Sequence, residues 1–185
     1  HMVKNQPMKM AAAEALWESE DPAALSLFSV IDASQRRNIF SIRIPRMLSF
    51  LSYNSFSGEV KGINELQSAY QAQYGPGDYT PPVFLAFWTF RIMVGIGLLL
   101  ILLALYALFL MRGDLFKSWP LVLKVLPVKQ DPFERPNILI RLFPLAILLP
   151  YLSNTCGWLL TETGRYPWIV FGLVKIQEGI SPNVT

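Results

Sequence analysis

The sequence has one cysteine, Cys156, and one histidine, which is its first residue. A single cysteine excludes an intrachain disulfide, so the fold cannot depend on one. Without an internal imidazole, a metal or haem site that needs histidine must take it from another polypeptide segment. Charge is scarce as well. Only 16% of the 185 residues are Asp, Glu, Lys or Arg, whereas a soluble domain carries about a quarter. The net charge of +3, from sixteen basic and thirteen acidic side chains, is too mild and too scattered for a nucleic-acid partner. Zinc-ligand spacings, a phosphate-cradling glycine loop, a nucleophile elbow and internal repeats are all lacking. No secretory signal is visible, because the first long apolar run begins past residue 80.

What the chain does have is apolar length. It is 52% hydrophobic, with a mean hydropathy of +0.36. Val83 to Met111 is a run of 29 residues whose only charge is Arg91, and about 20 residues suffice to cross a bilayer core. Leu142 to Thr161 is a second uncharged run, of 20, softened by Pro144, Pro150, Ser153, Asn154 and Thr155. Such residues suit a span packed among other helices better than one facing lipid all round.

The expected fold is therefore all-α: a transmembrane helical bundle fragment with an external, partly helical hydrophilic loop segment. Residues 1–82 form the external segment, 83–111 the first span, 112–141 a connector, 142–165 the second span and 166–185 a further external segment. The connector holds six basic residues against three acidic ones, while Gly62–Pro82 has no Lys or Arg, so the connector is cytoplasmic and both outer flanks face the other side. Trp119 suits an interfacial anchor. Pro7 and the helix formers after it predict a helix over Pro7–Glu18, and Tyr74–Pro82 reads as a Gly/Pro-rich linker. The apolar run beyond Arg165 is too short to span. Asn183-Val184-Thr185 matches a glycosylation acceptor, with little weight at a chain end.

Counting twenty residues back from Met111 puts Arg91 at the outer boundary with Met93 just inside it. Counting twenty forward from Leu142 puts Glu162 and Arg165 at that same boundary. Met93 and Gly97 share a helix face, as do Trp158, Glu162 and Arg165. A flat cofactor with acid groups suits this set: thioether or carboxylate beneath the ring, arginines on the acids, glycine and tryptophan alongside. Haem fits that description. Plainer readings stand beside it: Arg91 snorkelling to headgroups, glycines for close helix packing, a helix-ending Glu162–Arg165 pair. Lys9 and Glu14, five residues apart, point in different directions and do not pair.

The segments "QPMKMAAAEALWE" (6–18), "IPRMLSFLSYNSFSGEVKGINELQ" (44–67), "YGPGDYTPPV" (74–83), "FWTFRIMVG" (87–95) and "GWLLTETGRYPW" (157–168) together resemble subunit I of the cytochrome bd-type quinol oxidases. The resemblance runs in order over nearly the whole chain and covers only the later part of that subunit, in its shorter-loop form. It implies Met93 as an axial ligand of the low-spin haem b iron, with the partner histidine in the missing remainder of subunit I. Arg91 supports that haem and the quinol site, and Lys9 and Glu14 belong to quinol binding and oxidation. Glu162 is implied at the iron of the high-spin haem b, with Arg165 and Trp158 in the same two-haem pocket. Tyr166 departs from the Gln that often follows this arginine.

The resemblance further implies a terminal oxidase in the bacterial cell membrane, multi-pass, passing electrons from ubiquinol or menaquinol to dioxygen. Haem d, or a further haem b, stands at the oxygen site; subunit II is the partner, with or without small single-span subunits. This stretch alone is not expected to be active. The alternative is a transporter or channel membrane subunit without haem, with Arg91, Glu162 and Arg165 lining an ion path.

Overall fold

The structure, a computed structural model, describes residues 2–111, 144 and 146–179. The connector 112–141 with Trp119, the first residues of the expected second span and Asn183 lie outside the described residues. The chain divides into two compact units, His1–Arg91 with Cys156–Thr185, and Ile92–Thr155.

In the first unit, α1 (Met2–Asn5) leads into α2 (Pro7–Glu14). Pro7 opens α2 because its missing N–H costs nothing at a helix start. The helix stops four residues short of the Glu18 expected from sequence. Ala15 turns into the left-handed region (φ 48°), and its N–H bonds back to the carbonyls of Ala11 and Ala12. Ala11, Ala12 and Ala13 are fully buried, so small side chains let neighbouring backbone close around this helix.

An antiparallel hairpin follows, β1 (Leu25–Asp32) and β2 (Arg37–Ile44), with bulges between Ser26 and Phe28 and between Val30 and Ile31. The Asp32 carboxylate accepts the Ser34 and Gln35 N–H groups at 3.1 and 3.2 Å, which fixes the turn. With β3 and β4 below, the hairpin corrects the all-α expectation: the protein is mainly helical, with two small sheets. The hairpin buries Ser26 and Ser29 and exposes Leu27, Phe28, Val30, Phe40 and Ile42. A bidentate Arg43–Glu20 pair (2.7 and 2.6 Å) ties it to the chain leaving α2.

Leu16, Ala23, Leu48 and Val60 form a small core beneath the hairpin and α3 (Met47–Tyr53). Gly62 then passes so close to Glu18 that a Cβ there would lie 2.3 Å from its carbonyl carbon. Ile63 and Asn64, opening α4 (Ile63–Tyr74), bond to the carbonyls of Leu16 and Trp17. The linker after α4 is pinned by Gln67, whose amide donates to the Gly77 carbonyl and accepts the Tyr79 N–H. Tyr70, Tyr74 and Tyr79 pack with Trp168 and Phe171 of the C-terminal segment. There β3 (Trp168–Val170), β4 (Val174–Lys175) and a 3-10 turn (Ile176–Glu178) form a second, minimal sheet.

The helix α5 spans Val83–Met111 and carries Arg91 at the end of the first unit's stretch. Its portion Val83–Leu108 is 26 residues long and, among the described residues, the one helix long and apolar enough to cross a membrane. A further helix, α6 (Leu148–Thr163), is described over 16 residues, those up to Thr155 in the second unit and those from Cys156 in the first. Within the second unit the Ser153 hydroxyl donates to the Met93 carbonyl at 3.3 Å.

Candidate functional site

Glu14 is the last residue of α2 and is 1% exposed. Its Oε2 accepts from Arg91 Nη2 at 2.6 Å and from the Ser26 N–H at 3.3 Å. Arg91 Nε donates to the Ser26 carbonyl at 2.7 Å. The guanidinium also lies 4.6 Å from the Phe87 ring centre and 5.1 Å from that of Phe90, a desolvated setting in which cation–π attraction is strongest. Burial pushes the Glu14 carboxyl above its ordinary range. Arg91, the Ser26 N–H and Arg43 pull the other way without reversing it. Glu14 is thus a carboxylate held on one cation and a backbone strand, suited to accept a proton.

Lys9, one and a half turns earlier on α2, belongs to a different cluster. Its ammonium is pulled below the ordinary lysine range by burial and then by Arg165, with Glu162 opposing. Glu162 and Arg165 form an ion pair one turn apart at the end of α6. Gly164 lies against the Lys9 stem: a Cβ there would be 2.9 Å from Lys9 Cγ. The structure therefore brings Glu14 to Arg91 and Lys9 to Glu162 and Arg165, and Lys9 and Glu14 do not meet. Trp158, one turn before Glu162, is 61% exposed.

In the second unit Met93 is partly buried, and Gly97 follows one turn on along the same helix face. A Cβ added at Gly95 or Gly97 would meet no atom within 4 Å, so these glycines do not serve a close helix contact among the described residues. Among the same residues no cluster of three or more His, Cys, Asp or Glu is built for a bare metal ion. In this unit the Met93 thioether is a donor that suits a macrocycle-held iron; in the first unit Glu162 offers a carboxylate, and Arg91 and Arg165 are cations suited to a macrocycle's acid groups. The residues present fit haem.

Several contact residues were not singled out from sequence. Phe87 stands four positions before Arg91, where a helix places neighbours, and that spacing is a legible signal; Phe90, one position before, carries no such signal. Ser26 enters through its backbone, which carries no side-chain signature. Gly164 and Trp168 lie inside "GWLLTETGRYPW" but gave no hint of their contacts.

The family described as cytochrome bd terminal oxidase subunit I matches residues 1–185. The chain is 44% identical over 186 residues to cytochrome bd ubiquinol oxidase subunit 1 of Bacillus subtilis, covering all of this chain and 36% of that protein. It is 24% identical to cytochrome bd-II ubiquinol oxidase subunit 1 of Escherichia coli, covering 97% of this chain and 43% of that one. The solved structure of bd oxidase from Geobacillus thermodenitrificans is similar with a TM-score of 0.70 at 28% identity, over 97% of this chain and 35% of its own. The chain thus spans well under half the length of these relatives.

Proposed function

The chain belongs to the cytochrome bd terminal oxidase subunit I family, and from that premise we propose that it supplies the later part of subunit I to a membrane quinol:oxygen oxidoreductase. The remainder of subunit I, including the axial histidine, and subunit II complete the enzyme, which is multi-pass in the bacterial cell membrane. It oxidises ubiquinol or menaquinol at the outer face and reduces dioxygen to water. Releasing quinol protons outside and drawing the protons for water from the cytoplasm contributes to the proton-motive force.

The observation that carries this reading is the buried Glu14–Arg91 pair, which fixes a proton-accepting carboxylate of the external segment to α5 at Arg91. Quinol oxidation needs a proton acceptor beside an electron acceptor. Glu14 is the acceptor: its burial favours the protonated form, and Arg91 keeps the ionised form accessible. Lys9 orients a quinol oxygen. Met93 would hold the low-spin haem b through its thioether and Glu162 the high-spin haem b through its carboxylate, with Arg91 and Arg165 on acid groups and Trp158 alongside. When bound, these haems, with haem d or a further haem b at the oxygen site, supply one-electron transfer and oxygen binding; the protein's part is placement and tuning.

A transporter path finds no counterpart: inward of Arg91, α5 carries no charge through Met111. The test is a reduced-minus-oxidised visible spectrum of membranes carrying the full-length subunit, with Met93→Leu beside it at equal protein. Loss of the low-spin haem b band alone is expected; identical spectra would remove Met93 as ligand.

A further inference from the structure

A narrow cavity of about 10 Å³ opens at the first turn of α2, lined among others by Gln6, Met8, Lys9, Tyr70, Arg165 and Trp168. The chemistry these residues bring is lopsided. Lys9, Arg165 and the Trp168 indole have only donors to offer. Tyr70 is 7% exposed and Trp168 4%, yet the Tyr70 hydroxyl and Trp168 Nε1 have no hydrogen-bond partner among the described residues. The Met8 N–H approaches the Tyr70 oxygen as a donor without completing a bond, so the hydroxyl proton still lacks an acceptor. Burial pushes that hydroxyl up to about 12, which keeps it a donor throughout the physiological range.

Each buried donor left unpaired costs roughly 1–3 kcal/mol, and two of them at one small cavity mark a missing acceptor. Charge points the same way. Gln6 gives α2 no side-chain cap, so the positive end of the helix is not offset there. Lys9 and Arg165 bring two positive charges to the cavity's surroundings and Glu162 one negative charge. Size narrows the ligand further. The space admits about one oxygen-sized centre, too little for a phosphate or a ring. A group that enters therefore presents a single oxygen, and any larger parent molecule stays outside.

We propose that this cavity receives the oxyanion of a deprotonated quinol, with the Tyr70 hydroxyl and the Trp168 indole N–H as its donors and Lys9 as its counter-charge. The inference rests on the quinol-oxidising reading above and adds two substrate-contacting residues to it. Ionising one quinol O–H leaves the bonding pair on oxygen and sends that first proton to external water, leaving the second O–H proton for Glu14. Preorganised donors lower the cost of that charge in a site from which water is excluded.

The test uses the purified full-length oxidase and two probes: 2-hydroxy-1,4-naphthoquinone, an anion at neutral pH, and its uncharged methyl ether. Equilibrium binding should favour the anion, and Tyr70→Phe, which removes one oxygen atom, should cut that preference about tenfold while the ether's affinity holds. Trp168→Phe should do the same; if its loss from the aromatic cluster spoils folding, Tyr70→Phe decides alone. An undiminished preference in Tyr70→Phe overturns the proposal and leaves the cavity to an ordered water. Unchanged probe binding with a shifted haem midpoint potential also overturns it, assigning the donors to a haem propionate. A parent enzyme with no haem bands and no quinol oxidation brings down the oxidase reading itself, and the cavity's assignment with it.

Discussion

Arg91 donates through Nη2 to the carboxylate of Glu14 at 2.6 Å, joining residues 77 positions apart. The two side chains are 13% and 2% exposed, so neither has water to fall back on. Removing one partner of a buried pair costs about 3–5 kcal/mol because the other charge is stranded, whereas removing both costs much less. Arg91→Gln should therefore loosen the attachment of β1 to α2 by that amount. The double variant Glu14→Gln/Arg91→Gln should lose less than the sum of the two single changes. Native-state hydrogen exchange at the Ser26 amide reports this directly, because that N–H donates to the same Glu14 oxygen. Additive losses would show that the pair carries no coupling.

The same carboxyl sets a pH dependence with a definite sign. Burial raises the Glu14 pKa in the folded protein above its unfolded value near 4.5. Between those two values the folded state binds more protons than the unfolded one, so stability falls as pH rises. The contribution is fully present below about pH 4.5, and its loss is complete above the folded pKa. Thermal midpoints of the parent and Glu14→Gln across pH 4 to 8 should draw apart, the parent losing ground as pH increases. A parent that gains relative to Glu14→Gln over that range would mean that Arg91, not burial, dominates the carboxyl.

How much of this was readable in advance depended on how far apart the deciding residues lie. α5 was legible to the residue, because an uninterrupted apolar run needs no partner to declare itself. The start of α2 was legible from Pro7; its end was not, since Ala15 carries no sign that its backbone turns left-handed. The hairpin was missed although "LSLFSVID" and "RNIFSIRI" flank the turn-forming "ASQR". Its apolar residues point outward while Ser26 and Ser29 point in, which inverts the usual pattern. Spacing did show that Lys9 and Glu14 could not pair, but not what each meets instead. Arg91 and Arg165 are distant in sequence, and only folding reveals that one serves Glu14 and the other stands by Lys9.

The close approach of Gly164 to Lys9 is testable by adding one carbon. A Cβ at Gly164 would stand 2.6 Å from the Leu160 carbonyl oxygen and 2.9 Å from Lys9 Cγ. The lysine stem can yield, but the carbonyl belongs to the last turn of α6 and already accepts the Gly164 N–H at 3.0 Å. Gly164→Ala must therefore shift the turn that carries Arg165, at the roughly 1–3 kcal/mol typical of overpacking. Gly95→Ala is the matched control, since a Cβ there meets nothing within 4 Å. A lower thermal midpoint for Gly164→Ala than for Gly95→Ala in the purified oxidase is the expected outcome. Equal midpoints would mean that the turn after α6 has slack, and that Lys9 is not held in place by the absence of a side chain at 164.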